Sequence, residues 1–291
     1  MNPNLRSGML SLAVLLIGSG LGGGLACTSQ AVTTGTGGSG GTGTGTGGTT
    51  GEQAACGSGP YAPSAGVACP VPSASGLITD FTYSADSGST EQIRFGDDST
   101  TLSGGEATYA NSGGTLTSNV TQGDWHLVGH VANYSGFNIY IDNVPVGGKP
   151  CNMVNASAFT GISFTIWGTT GGNPISMAVG IVDDTPAPSW FSSVDAGSVT
   201  GPGSCIPTSG SQYYHPGCAD PTYAITVPTT ATTVAAAQTV SLKWTDFTGG
   251  LCKPNVLPEQ IVSISWQFAW STATTPYDVD IHIDNLSFTK Q

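Results

Sequence analysis

From Leu77 onward, apolar and polar residues alternate with period two, and turn residues interrupt the alternation at short intervals. That pattern predicts the strands of a sandwich or barrel. Phe137, Ile139 and Ile141 alternate with Asn138, Tyr140 and Asp142, which puts Tyr140 on an outward face with Asn138 and Asp142. Ile162, Phe164 and Ile166 form the inward set of a second strand, and the run from Ile175 to Ile181 repeats the idea. Val240, Leu242 and Trp244 share one face, as do Ile264, Trp266, Phe268 and Trp270. Helical spacing is not sustained anywhere; Ala231 to Gln238 is too short and too rich in Thr and Val. The class is all-β.

The last alternating run carries a register signal. Val279, Ile281 and Ile283 are apolar, then Leu286 and Phe288, so the inward parity switches between Ile283 and Leu286. A one-residue change of this kind is what a β-bulge produces. Asp284 and Asn285 then sit at a kink where a carboxylate and freed carbonyls can converge.

Composition narrows the class. The 291 residues include 43 Gly and 18 Pro, with 6 Lys+Arg against 18 Asp+Glu and a formal net charge of −12. Sequence-independent binding to nucleic acid needs clustered Lys and Arg, and so does electrostatic binding to an anionic membrane surface. Neither fits. So few charges fit a secreted all-β protein better than a helical cytosolic enzyme.

The first residues carry an address. Arg6, the apolar run Met9–Ile17 and the small residues after it make 1–26 a signal peptide, because the run is far shorter than the about 20 residues a membrane span needs. Gly24-Leu25-Ala26-Cys27 resembles the lipobox of bacterial lipoproteins, which implies lipid attachment at Cys27 and an extracellular or outer-surface location. The alternative is ordinary cleavage, leaving Cys27 an odd thiol. The membrane is then a partner only through the lipid. Residues 27–52 are a Gly/Thr/Ser-rich tether with no apolar face to bury, expected to be disordered. Its Thr33–Gly51 core spans about 24 Å root-mean-square as a flexible coil.

Beyond Cys27 the cysteines are Cys56, Cys69, Cys151, Cys205, Cys218 and Cys252. An even number in a secreted chain points to disulfides, though sequence does not fix their pairing. Loop length favours Cys56–Cys69 and Cys205–Cys218, leaving Cys151–Cys252. No Cys/His spacing of a zinc site is present. Residues 53–74 read as a Cys-stapled collar, and 75–291 as the folded domain.

Hydrolysis of a glycan needs two carboxylates flanking one bond. Glu52 lies in the tether, and Glu91, Glu106 and Glu259 fall in loop-like stretches. Asp97-Asp98 and Asp183-Asp184 are adjacent pairs of the sort turns carry. No G-x-S-x-G elbow is present. The row Asp278, Asp280 and His282 reads as a solvated outer face. Sugar binding asks instead for aromatic platforms beside polar groups. Trp190 and Phe191 lie in a Pro/Ser-rich stretch, and Tyr213, Tyr214 and His215 lie between Cys205 and Cys218. With Tyr140 they are the candidate ligand contacts.

Three segments resemble galactose-binding-like jelly rolls. Leu77-Ile78-Thr79-Asp80-Phe81 looks like the family's opening strand, and Ala156 to Phe164 resembles its central segment ending in Gly-Ile-Ser-Phe. The closing His282-Ile283-Asp284-Asn285-Leu286-Ser287-Phe288 is similar to its final strand. Carbohydrate-binding modules of the family 11 type share this pattern, although Asn155 stands where they carry Asp. The resemblance implies a jelly-roll β-sandwich and a structural Ca²⁺ where first and last strands meet, with Asp80 and Asp284 as acidic ligands. The expectation is a non-catalytic module that binds polysaccharide or oligosaccharide. A structural or adhesive surface lipoprotein with protein partners is the alternative, and a glycan-active hydrolase the third reading.

Overall fold

The alternating runs fold as strands. The structure, a computed structural model, describes residues 67–72, 74–82, 93–95, 102, 104–110, 113–121, 123–141, 151–187, 203–207, 217–271 and 275–290. All of them belong to one unit, Thr49–Gln291. The residues assigned to the signal peptide and the tether, with Cys27 and Cys56, lie outside the described residues. The strands are β1 (Val67–Pro70), β2 (Leu77–Thr79), β3 (Ile93–Phe95), β4 (Gly104–Ala110), β5 (Thr115–Thr121), β6 (Asp124–Val131) and β7 (Ser135–Ile141). They continue with β8 (Cys151–Asn155), β9 (Gly161–Thr169), β10 (Ile175–Ile181), β11 (Thr222–Ile225), β12 (Gln238–Lys243), β13 (Ile261–Phe268) and β14 (Tyr277–Thr289). Single turns of 3₁₀ helix occur at Val234–Ala236, Trp244–Asp246 and Pro258–Gln260.

Two sheets form a β-sandwich. The eight-stranded sheet runs β1-β8-β13-β7-β4-β3, with β10 on β13 and β11 on β10. The six-stranded sheet runs β12-β9-β14-β6-β5, with β2 also on β14. β1 lies inside the segment assigned to the collar, and it pairs in parallel with β8. β14 is long enough to serve two partners: its first half pairs with β6, and Leu286 and Ser287 pair with β2. Between those halves the register against β9 shifts from Asp284 to Ser287, and Asn285 adopts a left-handed φ of 54°. The bulge lies where the parity switch puts it. Val279, Ile281 and Ile283 before it, and Leu286 and Phe288 after it, are all buried.

Between the sheets the core is aromatic at its centre. Phe137 and Trp266 stack with centroids 5.1 Å apart, while Trp125 meets Phe137 edge-on at 5.2 Å and Phe164 meets Trp266 edge-on at 5.6 Å. Trp244, Trp266 and Phe268 are buried, as alternation requires. Trp270 is not: it lies beyond the end of β13 and is 72% exposed, because the alternation stops binding its side once the ladder ends. Glu106 departs from its loop reading as well. It sits in β4 opposite Ile139, on the core-facing parity, and is 2% exposed. Burial pushes its carboxyl up to about 9, so it is protonated at neutral pH.

Cys205 and Cys218 are joined, the pair loop length favoured, with a separation of 13 residues. A loop near this length stabilises by about 3 kcal/mol on loop-closure entropy. Cys69 and Cys252 are also in disulfides. Cys151 begins β8.

Candidate functional site

The outer face of the eight-stranded sheet has a floor of small residues. Register brings Gly105, Tyr140, Ser263 and Gly180 into one row across β4, β7, β13 and β10, and Ala107, Asn138, Ser265 and Ala178 into the next. The third row is Tyr109, Gly136, Gln267 and Ser176. Gly136 is required there, since a Cβ would run into the Tyr109 hydroxyl and the Trp266 carbonyl. The Tyr109 ring is thereby free to lie over the sheet. It stacks on Tyr134 at 5.0 Å, and Tyr134 meets Trp270 at 5.8 Å. Burial, and then the adjoining Tyr134, push the Tyr109 phenol up. Tyr140 stands out of the floor, 37% exposed. Burial of its stem raises its phenol, and the hydrogen-bonded Asn138 side chain pulls it back. The result is an uncharged trough with an aromatic wall at one end and amide and hydroxyl groups along its bed. Such a surface matches a ligand with apolar faces and many hydroxyls.

The outer face of the six-stranded sheet is built differently. His282 of β14 lies in register with Trp167 of β9 on one side and His126 of β6 on the other. The three rings stack, with centroids 4.9 and 3.9 Å apart and planes within 6°. Carboxylates fasten the stack: Asp280 Oδ1 is 2.7 Å from His126 Nε2 and 3.6 Å from His282 Nε2, and Asp124 bonds His282 Nδ1. His130 and Asp278 pair at 2.7 Å one step along. His126, Asp280 and His282 bring three ligand-type atoms within 4.8 Å. The parallel rings, however, aim their in-plane lone pairs past one another. The arrangement is a hydrogen-bonded stack rather than a formed coordination site.

Asp80 and Asp284 lie at the bulge, one just after β2 and the other on β14, which pair with each other. Each is followed by a left-handed residue, Phe81 at φ 53° and Asn285 at φ 54°. Thr82 donates to Asp80 Oδ1 through N–H and hydroxyl, at 3.2 and 2.7 Å. The Asn285 N–H donates to Asp284 Oδ1 at 2.6 Å. Burial pushes the Asp284 carboxyl up, the Asn285 N–H pulls it back, and the carboxylates of Asp124 and Asp80 push it up again. Asp80 and Asp284 thus bring carboxylate oxygens to the kink, with Asp124 near enough to act on Asp284, and oxygen is the donor type that the Ca²⁺ implied by the resemblance takes.

Of the sequence candidates for ligand contact, Tyr140 is on the trough. Trp190, Phe191, Tyr213, Tyr214 and His215 lie outside the described residues. Sequence reasoning missed Tyr109, Tyr134 and Trp270. Trp270 was masked by an alternation that continues past the strand end, and the Asn133-Tyr134-Ser135-Gly136 turn was the available cue for Tyr134. A groove of about 410 Å³ also opens between the edge strands β11 and β12, lined by Tyr223, Ile225, Gln238, Val240 and Leu242 among others.

Solved structures of similar fold include the family 11 carbohydrate-binding module of the cellulosomal cellulase Lic26A-Cel5E from Clostridium thermocellum. It is 13% identical, with a TM-score of 0.41, covering 74% of this chain and 94% of that one. The Clostridium thermocellum family 11 module in complex with a β-1,3-1,4-mixed-linked tetrasaccharide is 13% identical, with a TM-score of 0.39 over 64% of this chain and 88% of that one. An agarase is 9% identical, with a TM-score of 0.39 over 74% of this chain and 26% of its own. At this distance they assign no ligand. No family model and no curated protein matches the chain.

Proposed function

We propose that the chain binds carbohydrate, without cleaving it, in the trough on the eight-stranded sheet. The observation that carries this reading is the aromatic wall of Tyr109, Tyr134 and Trp270 facing Tyr140 across small, uncharged residues. Pyranose rings stack their C–H faces on aromatic planes, and the Ser and Gln side chains of the bed meet hydroxyls, while the buried Asn138 amide holds Tyr140. Trp190, Phe191, Tyr213, Tyr214 and His215 are proposed as further contacts from loops. Non-catalytic binding is favoured because the outward rows of the trough carry no carboxylate among the described residues, and Glu106 and Asp184 are buried.

The same reading takes the chain as lipid-anchored through Cys27 and displayed extracellularly or on the outer cell surface, with 27–52 as its tether. It takes Asp80 and Asp284, with Asp124, as holding a structural Ca²⁺ that would stiffen the β2–β14 junction. A test is affinity electrophoresis and a glycan array with the secreted chain, comparing wild type with Tyr134→Ala and Trp270→Ala. The wild type should be retarded by at least one polysaccharide, and both variants should run closer to their mobility in plain gel. Binding that survives both substitutions would move the site off the trough. Wild type that binds protein but no glycan would favour the adhesive alternative.

A further inference from the structure

A second set of acids lies away from both outer faces, where the turn after β10 meets segments 217–222 and 248–253. Those two segments pair through Ala219 with Leu251 and Thr222 with Thr248, and the Cys205–Cys218 disulfide ties the first of them down. Three aspartates enter this interior. Asp183 is provided for: Ser204 donates to Oδ1 at 3.3 Å, Lys253 Nζ lies 3.7 Å from Oδ2, and its own N–H donates to Gln260 Oε1 at 3.0 Å. The other two are not.

Asp184 is 1% exposed. The Lys253 N–H donates to its Oδ1 at 2.7 Å, but Oδ2 has no hydrogen-bond partner. Asp220 Oδ1 is likewise sealed from solvent without a partner, although the Ile181 N–H bonds the carboxylate. Gly250 shows where Asp184 Oδ2 is aimed. A Cβ there would meet the Lys253 carbonyl oxygen and Asp184 Oδ2, so two oxygens face the space that only a glycine leaves open. Lys253 is the one cation among the described residues in these contacts, and its ammonium is beside Asp183. Asp184 and Asp220 therefore bring two negative charges into a place whose one nearby cation, the Lys253 ammonium, is placed beside Asp183 and only lessens the push on Asp184. Each keeps an oxygen without a hydrogen bond. A buried carboxylate with an orphan oxygen is costly unless a proton or a metal ion meets it. Burial, the first cause in each case, pushes both carboxyls up to about 7, and Asp184 adds to the push on Asp220.

We propose that Asp184 and Asp220 hold a divalent, oxygen-seeking cation of the Ca²⁺ class, with the Lys253 carbonyl as a further ligand. Hard oxygen donors of mixed carboxylate and carbonyl type are what such an ion takes. Held there, it ties the turn after β10 to the two paired segments and locks the disulfide-closed part of the chain onto the sandwich. This site is separate from the one at Asp80 and Asp284.

The experiment isolates it by working in the Asp284→Asn chain. Calorimetric titration with Ca²⁺ should still show binding there. Adding Asp184→Asn and Asp220→Asn should remove the binding heat while the circular dichroism spectrum and the Cys205–Cys218 bridge are kept. Should that variant fail to fold, hydrogen exchange of the Asp284→Asn chain decides: chelator should speed exchange at 181–185, 219–222 and 250–253 and leave β6 and β7 unchanged. No Ca²⁺ binding in the Asp284→Asn chain overturns the site, as does binding unchanged by the Asn pair or exchange indifferent to chelator. If the Asn pair only raises the melting temperature, with no metal effect in its parent, a shared proton satisfies the carboxylates and the proposal is wrong.

Discussion

The two outer faces of the sandwich share strand geometry and differ in everything their side chains can do. On the eight-stranded sheet the outward rows are Gly, Ala, Ser, Asn and Gln, with tyrosines and a tryptophan standing above them. On the six-stranded sheet Asp278, Asp280, His126, His130 and His282 stand outward among Thr165, Thr169 and Val128, hydrogen-bonded to one another around a three-ring stack. Trp270 and Tyr140 of the first face project into solvent, 72% and 37% exposed, whereas Trp167 of the second is 7% exposed because His282 lies on it. Trp167, buried under His282, offers no open face to a ligand. A row of carboxylates in water binds its counter-charges locally, each pair contributing little. Exposed surface of one kind is available for recognition, and surface of the other kind is spent on itself.

The largest effect expected from breaking this contrast is at Gly136. Gly136→Ala puts a Cβ against the Tyr109 ring and the Trp266 carbonyl, and overpacking of this sort costs about 1–3 kcal/mol. Denaturant unfolding should show that loss together with weaker glycan binding. Thr165→Ala, at an outward position of the other sheet, should stay within about 0.5 kcal/mol. Next comes a comparison of acids. Glu106 under the trough has a folded pKa of about 9 against an ordinary 4.5, so its unfolded form ionises first as pH rises. Its contribution is therefore fully present below about pH 4.5 and is lost progressively up to about pH 9. Glu106→Gln should add on the order of 2 kcal/mol at pH 8 and almost nothing at pH 4. Asp280→Asn, at a position 56% exposed on the other face, should change stability by about 1 kcal/mol or less in the same melts at neutral pH.

Tyr140→Ala should weaken polysaccharide binding about tenfold, equivalent to about 1.4 kcal/mol. His126→Ala with His282→Ala should leave it unchanged, and a loss in the histidine variant of similar size would reverse the assignment of faces. The smallest effect concerns the bulge. Chelator should lower the wild-type melting temperature by a few degrees at most, and Asp284→Asn should lose the part of that response contributed by the Asp80–Asp284 site. Calorimetry at matched ionic strength separates a specific ion from general screening.

Much of the sandwich is legible in the amino-acid sequence. Alternation at 137–141, 162–166 and 264–268 named the inward residues, because a pleated strand with one buried face has no other way to sort them. The parity switch located the bulge, since slipping a strand by one residue is the only way to keep both Ile283 and Leu286 inside. The alternation overreached at Trp270, where the apolar spacing runs on after the hydrogen-bonded ladder has ended. Glu106 offered no cue at all: Gly and Ala flank it, and only pairing with Ile139 turns it inward. Asp183 and Asp184 looked like an ordinary solvated turn, and it is the disulfide-closed segments that bury them.

Period, parity, composition and cysteine count are properties of neighbouring residues along one chain, and they were enough for the all-β class, the core and the bulge. Side chains from distant segments are another matter. Tyr109, Tyr134 and Trp270 come from three separate segments, and His126, Trp167 and His282 from three strands of one sheet. Their encounters depend on inter-strand register and on where each strand stops, and register is a sum over many cross-strand contacts that no local pattern contains. The trough, the stacked face and the buried acids exist only once those contacts have been made.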